Sequence, residues 1–440
     1  VSTLNKIRSA LAGATGPGGR GEAARPGTGL RRLRRAITVF FALDGFVFAG
    51  WVVRIPAIKE QTGASPSALG LALLGVSAGG VVTMMLTGRL CRRHGNHSVT
   101  VAAGALLSLS VALPPLTHSA VSLGLVLLVF GAAYGGLNVA MNAAAVDLIA
   151  ALRRPVMPAF HAAFSLGGMA GAGAGGLVAG QLTPTRHLLL LTATGLVCTA
   201  LAGRVLLTVA APAPAADGDT DWGTDGDEDT GGGKDGNGDG DHGGSRADAR
   251  GTPRTGRRLV LVLGLIALCT AYGEGALADW SALHLTEDLH AGPGVAAAGY
   301  SVFALAMATG RLCGTRLLEH LGQDRLLTAG ALTAGAGMLV AALAAQVWLV
   351  LAGFVVTGLG LANLFPVAVA RAGALAGPDG VAAASTLGYG GMLVGPVAIG
   401  FLAEWFSLTA ALTSVALLAA VAAAVARAVR EGPARGGRFR

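Results

Sequence analysis

SLGLVLLVFGAAYGGLNVAMNAAAVDLI, residues 122–149, is the stretch on which the reading of the fold turns. It holds no charge before Asp147, and Asn138 and Asn142 stand out in a run of Leu, Val, Ala and Gly. A bilayer core about 30 Å thick takes roughly 20 helical residues. The stretch is long enough to cross it. Eleven further runs of the same kind surround this one, at 36–58, 66–88, 98–116, 158–180, 187–207, 259–283, 294–316, 326–345, 348–370, 381–402 and 408–427. The chain therefore reads as all-α integral membrane protein with 12 transmembrane helices, numbered here as spans 1 to 12.

Composition agrees. Of 440 residues, 53% are hydrophobic and only 13% charged, against about 25% charged in soluble domains. The 69 glycines have no three-residue period, which excludes collagen. Cys91, Cys198, Cys269 and Cys313 are scattered in or beside apolar runs, without metal-ligand spacing, so neither a disulfide framework nor a metal site is expected. Three Lys among 32 basic residues, with abundant Ala, Gly and Arg, suggest GC-rich codon usage and a bacterial source.

Arginine placement orients the spans. Apart from Arg54, Lys59 and Arg186, the basic residues lie in the tails and in alternate loops, as in Arg31, Arg32, Arg34 and Arg35, then Arg89, Arg92 and Arg93, then Arg153 and Arg154. By the positive-inside rule both termini are expected in the cytoplasm, with the protein multi-pass in the cell membrane. The net charge of +8 then answers to anionic lipid headgroups and calls for no nucleic acid. The expected organisation is a disordered basic tail at 1–35, a six-helix bundle at 36–207, a disordered acidic linker at 208–257, a second bundle at 258–427 and a basic tail at 428–440. Asp217, Asp219, Asp221, Asp225 and Glu228 mimic a calcium loop, but Trp222 takes the place of its glycine. The linker reading is preferred, and no metal is expected.

The two halves repeat one another. Asp44-Gly45 and Trp51 match Glu274-Gly275 and Trp280, Gly95 matches Gly322, Asn138 matches Asn363, and Gly167-Gly168-Met169 matches Gly390-Gly391-Met392. Duplicate six-helix halves describe a transporter with its site between them.

On these features the chain resembles the major facilitator superfamily. Its loop signature after span 2 is approached by Gly88-Arg-Leu-Cys-Arg92-Arg93-His-Gly95, with Arg92 where the family has an acid; Thr315 to Gly322 supplies Glu319 at that place. Gly136-Leu-Asn138-Val-Ala-Met-Asn142, Phe160-His161-Ala-Ala-Phe-Ser165, Glu274-Gly-Ala-Leu-Ala-Asp279-Trp280 and Gly310-Arg311-Leu-Cys-Gly314 are similar to an uncharacterised bacterial subgroup related to fucose permease. The resemblance implies two pseudo-symmetric six-helix bundles (the MFS fold), a gating loop at Gly88, Arg93, Gly95, Glu319 and Gly322, and a cavity lined by spans 1, 4, 5, 7, 8, 10 and 11. The sugar permease's acids on spans 1 and 4 have no counterpart here, where Trp51 or Val52 and Asn138 stand.

Ionisable groups within spans are costly and so are functional candidates. Asp44 and Glu274 read as proton carriers or as members of structural pairs. Asp279 points about 140° from Glu274 around the helix and is expected at the outer rim. Asn138 and Asn142 share a helix face and, with Asn363, read either as solute-binding amides or as helix-to-helix struts. His161 and Arg311 are cavity candidates, the arginine also able to snorkel to the cytoplasm. Arg54 reads as a membrane flank. Trp51, Trp280 and Tyr389 stack on solute or belong to interfacial belts. Gly167, Gly171 and Gly175 of span 5 and Gly391 and Gly395 of span 11 are packing positions, and Pro396 a bend.

The expected activity is secondary transport of a small polar solute by alternating access, coupled to H+, by a monomer without cofactor. Export of a drug or secondary metabolite is the alternative, and a non-transporting membrane sensor the third. With no phosphate loop, nucleophile elbow or metal cluster, no enzyme is expected.

Overall fold

Lipid offers no partner for a backbone N–H or C=O, so a chain that crosses it must close its hydrogen bonds within helices. The computed structural model describes residues 26–152, 156–209 and 254–431, and in them the secondary structure is helical. Twelve helices are long and apolar enough to span: Thr28–Val52, Pro66–Met84, Asn96–Leu116, Ala120–Leu152, Ala159–Ala179, Pro184–Thr208, Gly256–Glu287, Pro293–Leu312, Gly314–Leu343, Val347–Gly377, Gly380–Trp405 and Leu408–Ala428. The calcium-like run lies outside the described residues, as do Arg153 and Arg154.

Boundaries differ from expectation where charged residues continue a helix. Helix begins at Pro26, so 26–35 belongs to the first helix rather than to a tail. Leu33, Ala36 and Ile37 are buried there while Arg31, Arg32, Arg34 and Arg35 are exposed: the apolar face stays in phase and the arginines point outward. For the same reason the seventh helix starts at Arg254, inside the expected linker. A short helix, Ile55–Thr62, follows span 1 with Ile55 and Ile58 buried.

The packing repeats between halves. Within each, the first and fifth helices, the second and fourth, the third and fourth, and the third and sixth lie side by side, and spans 7 to 12 reproduce these pairs. The halves meet through spans 2 and 11 and through spans 5 and 8, which are each other's counterparts. The tightest contacts are glycines set against backbone. A methyl on Gly167 would strike the Ala42 carbonyl, and one on Gly171 the Phe46 carbonyl; one on Gly391 would strike the Leu268 carbonyl, while Gly395 faces Tyr272. Gly390 faces open space. The packing register therefore matches Gly167 with Gly391, one residue from the alignment read in the sequence. In this register Asp44 corresponds to Thr270, and Glu274 lies a full turn further along its helix. The two acids are not equivalent.

Gly95 (φ 81°, ψ 147°) and Gly322 (φ 74°, ψ 164°) adopt the same glycine-restricted backbone at the turn into the third helix of each half. Beside each turn a polar bond ties the third helix to the fourth: Asn96 Nδ2 donates to Asp147 at 2.6 Å, and Arg371 pairs with Asp324. Pro396 lies within continuous helix, with no non-helical backbone at its position. It frees the carbonyl of Met392, which accepts from Ser77 Oγ of span 2 at 3.3 Å. The departure from helical geometry falls instead at Ala376 and Gly377, between spans 10 and 11.

Gly167→Leu and Gly391→Leu are expected to lower stability by at least about 1–3 kcal/mol each, the usual cost of overpacking. Gly390→Ala should be neutral or stabilising by up to about 1 kcal/mol, as Ala is the better helix former. Thermal unfolding of the purified variants in detergent checks both.

Candidate functional site

Between the halves is a cavity of about 290 Å³. Span 4 presents Tyr134, Asn138 and Met141, spaced i, i+4 and i+7 on one face, and span 5 adds His161 and Phe164. Opposite them are Ala271 and Glu274 of span 7, Arg311 of span 8, Phe365 of span 10 and Gly388, Tyr389 and Met392 of span 11. Phe41 of span 1 and Met84 of span 2 complete it; the contribution of span 2 goes beyond the seven helices expected.

Arg311 does not snorkel. Its guanidinium turns inward and donates to both carboxylate oxygens of Glu274, at 3.3 and 3.2 Å. Its Nε reaches the Ala362 carbonyl at 3.4 Å, the acceptor that Pro366 leaves without its helical donor. Charge and hydrogen-bonding need thus hold the arginine in the cavity wall. His161 stands edge-on to Phe41, with ring centroids 5.5 Å apart.

Asp44 is fully buried, is not among the residues lining the cavity, and neither carboxyl oxygen has a hydrogen bond of normal geometry. The Asn138 side chain faces it from span 4, so one residue touches both the buried acid and the cavity. Asn142 Nδ2 donates back to the Asn138 carbonyl at 2.8 Å, which stiffens that turn of span 4. Asn363 does not line the cavity: its Nδ2 donates to the Gly310 carbonyl at 2.8 Å and braces span 8 against span 10. Trp51 and Trp280 line no part of it and belong to no interfacial belt. Both are 1% exposed, with Trp51 packed near Phe130. Both rings are part of the hydrophobic core. Tyr389 does face the cavity.

Asp279 is not at the outer rim. It lines a smaller pocket, about 70 Å³, with Phe48, Ser77, Tyr134 and Tyr389. Met84, Tyr134, Tyr389 and Met392 line both spaces, so the two adjoin. This pocket and its Phe48 and Tyr134 were not anticipated from the sequence, although Tyr389 was; the period of Tyr134 with Asn138 and Met141 was the available signal.

The polar links between halves are unevenly placed. Lys59 pairs with Glu287, and Glu404 Oε2 accepts from Ser65 Oγ and Ser67 N, each at 3.0 Å. These lie at the face remote from the start of span 1, while Ser77–Met392 is at mid-depth. Near the opposite face, Asn96–Asp147 and Arg371–Asp324 each stay within one half. At the remote face Arg54 is no flank: it is 3% exposed, and its Nε donates to His187 Nδ1 at 2.8 Å. Burial pushes its guanidinium below the usual arginine value. Arg93 and Glu319 are exposed, and Gly88 has room around it. Gly175 packs near His187 and Val53, and with Gly167 and Gly171 against span 1 the span 5 glycines serve packing.

Comparison with known proteins accords with this geometry. Residues 36–233 and 263–439 match the family model described as Major Facilitator Superfamily. An uncharacterised MFS-type transporter of Yersinia pestis is 32% identical over 88% of this chain and 94% of its own length. An uncharacterised transporter of Sinorhizobium fredii is 31% identical over 88% and 95%, and the membrane protein MosC of Rhizobium meliloti 28% identical over 86% and 85%. Among solved structures, an inward-facing, occupied bacterial homologue of the human lysosomal transporter Spinster superposes with TM-score 0.67 at 14% identity, covering 93% of this chain and 98% of that one. The nucleoside transporter NupG gives TM-score 0.62 at 12% identity, covering 90% and 98%. The relation to fucose permease finds no support among these. With its duplicated helices, its central cavity and a family match over most of its length, the chain belongs to the Major Facilitator Superfamily.

Proposed function

We propose that this protein is a secondary active transporter that moves a small polar solute by alternating access, driven by protons. The observation that carries the reading is the cavity of about 290 Å³ between two similar halves; among the described residues, the polar links identified between them lie at one face, apart from one at mid-depth. The arginine pattern favours the other face, with both termini, as the cytoplasmic one, and on that orientation the placement of the links supports an inward-open state. The solute would lie against Asn138, His161, Tyr389 and the Glu274–Arg311 pair. These supply donors and acceptors within a largely apolar wall.

Asp44 is the better proton carrier of the two acids. Glu274 already has a cation, whereas a carboxylate buried without one is expensive and its protonated form is tolerated. Asn138 links the buried acid to the solute space, so a solute drawing on that amide would alter what Asp44 faces. Outward opening requires the Lys59–Glu287 pair and the Glu404 contacts to break. Such exposed links are weak, about 0.5–1 kcal/mol each, which suits a gate that must open.

Two outcomes are expected. First, a thermal-shift screen over sugars, nucleosides and antibiotics identifies a solute that stabilises the protein, and that solute drives proton flux in proteoliposomes. Asp44→Asn should cut this flux at least tenfold; undiminished flux in both Asp44→Asn and Glu274→Gln defeats the assignment. Second, Lys59→Ala with Glu404→Ala should shift the population several-fold toward the outward-open state, about 1–2 kcal/mol in all. Spin-label distances across the remote face measure that shift, and an unaltered distribution counts against the gate.

A further inference from the structure

We propose that the pocket at Asp279 seats a positively charged group, so that the solute is an organic amine: an ammonium or methylated ammonium head on a polar body. This deepens the transport reading and rests on it for the solute's movement, though not for its binding.

Other acids of the second half are already occupied. Glu274 is held by Arg311, Asp324 by Arg371 and Glu287 by Lys59. Asp44 has no such partner but does not line either space. Asp279 lines the inner pocket, and among the described residues it has neither a hydrogen bond nor an ion pair. With the Glu274–Arg311 pair neutral as a unit, an ionised Asp279 finds no cation in the combined space among the described residues, and a cationic ligand seated beside it would stabilise the charged carboxylate. A carboxylate in an apolar wall draws a cation strongly and repels an anion.

The wall favours the same ligand. Phe48, Tyr134 and Tyr389 surround the pocket, and the Phe48 ring lies 5.2 Å from that of Tyr134 and 6.4 Å from that of Tyr300. Aromatic faces attract ammonium groups, and methylated ones most readily shed their water. Besides the tyrosine hydroxyls, the polar wall is completed by Ser77, whose hydroxyl is directed to the Met392 carbonyl; with the other lining residues apolar, the pocket offers few oxygens for the full shell that a small inorganic ion requires. At about 70 Å³ the pocket admits a head group and not a ring. The rest of the solute falls in the adjoining cavity of about 290 Å³, before Asn138 and His161.

The test uses the full chain in nanodiscs and amines with their neutral isosteres: tetramethylammonium, choline against 3,3-dimethylbutanol, and glucosamine against glucose. At least one amine should raise the melting temperature saturably where its isostere does not. Asp279→Asn should weaken that binding at least tenfold, whereas Asp279→Glu retains it, which separates charge from misfolding. Tyr389→Phe should keep affinity and Tyr389→Ala lose it. The proposal is overturned if no amine stabilises the protein, if isosteres do so equally, or if Asp279→Asn binds the amine unchanged. In proteoliposomes, an amine that binds through Asp279 but is not moved defeats the transport reading alone. Movement of a neutral solute unaffected by Asp279→Asn defeats the amine assignment alone.

Discussion

Helices in lipid gain nothing from hiding apolar surface, because the tails around them are as apolar as leucine; what holds them together is close packing. Here that constraint falls on glycine against backbone. Gly167 and Gly171 lie against Ala42 and Phe46, and Gly391 and Gly395 repeat the arrangement against Leu268 and Tyr272. Spans 1 and 5, and likewise 7 and 11, are drawn close enough that each half forms one wall of the cavity. The contacts between halves are of the same make: a side chain on Gly70 would strike the Pro396 carbonyl, and one on Gly400 that of Pro66. Small residues allow near approach without interlocking side chains, and surfaces of this kind can separate.

The polar groups divide according to what they face. Arg311 and Asn363 each answer a structural demand, the arginine satisfying Glu274 and the Ala362 carbonyl, the asparagine the Gly310 carbonyl. Among the described residues, Asp44 and Asp279 have no ion pair and no hydrogen bond of normal geometry. A buried or half-buried acid without a partner costs stability, and a membrane protein that retains two at its centre is storing that cost where protons and solutes can relieve it. The two acids differ in access, since Asp44 lies behind Asn138 while Asp279 opens on a pocket. One arrangement suits a proton, the other a group with bulk.

Hydropathy over 122–149 and its eleven companions was enough to count the spans, since bilayer thickness and helical rise together demand runs of that length. The repeat of Gly95 and Gly322 was legible because one backbone geometry, closed to other residues, is needed twice. The start of span 1 was not, because four arginines mask an apolar face that continues beneath them. Asp279 was misplaced for a related reason: an angle of about 140° separates it from Glu274 on one helix, but both directions open on hollow space, Glu274 on the larger cavity and Asp279 on the smaller pocket beside it.

Sequence by itself determined that this chain crosses a membrane in two like sets of helices, for that follows from local apolar length and from residues recurring at a near-constant interval. Which polar groups meet was left to the tertiary structure. Partners such as Arg311 and Glu274, 37 residues apart, or Ser77 and Met392, 315 apart, are set by helix rotation and crossing. A shift of one residue in packing register turns a helix by about 100°. The one-residue difference between Gly390 and Gly391 as the counterpart of Gly167 is of this kind, and no pattern of spacing along the chain reports it.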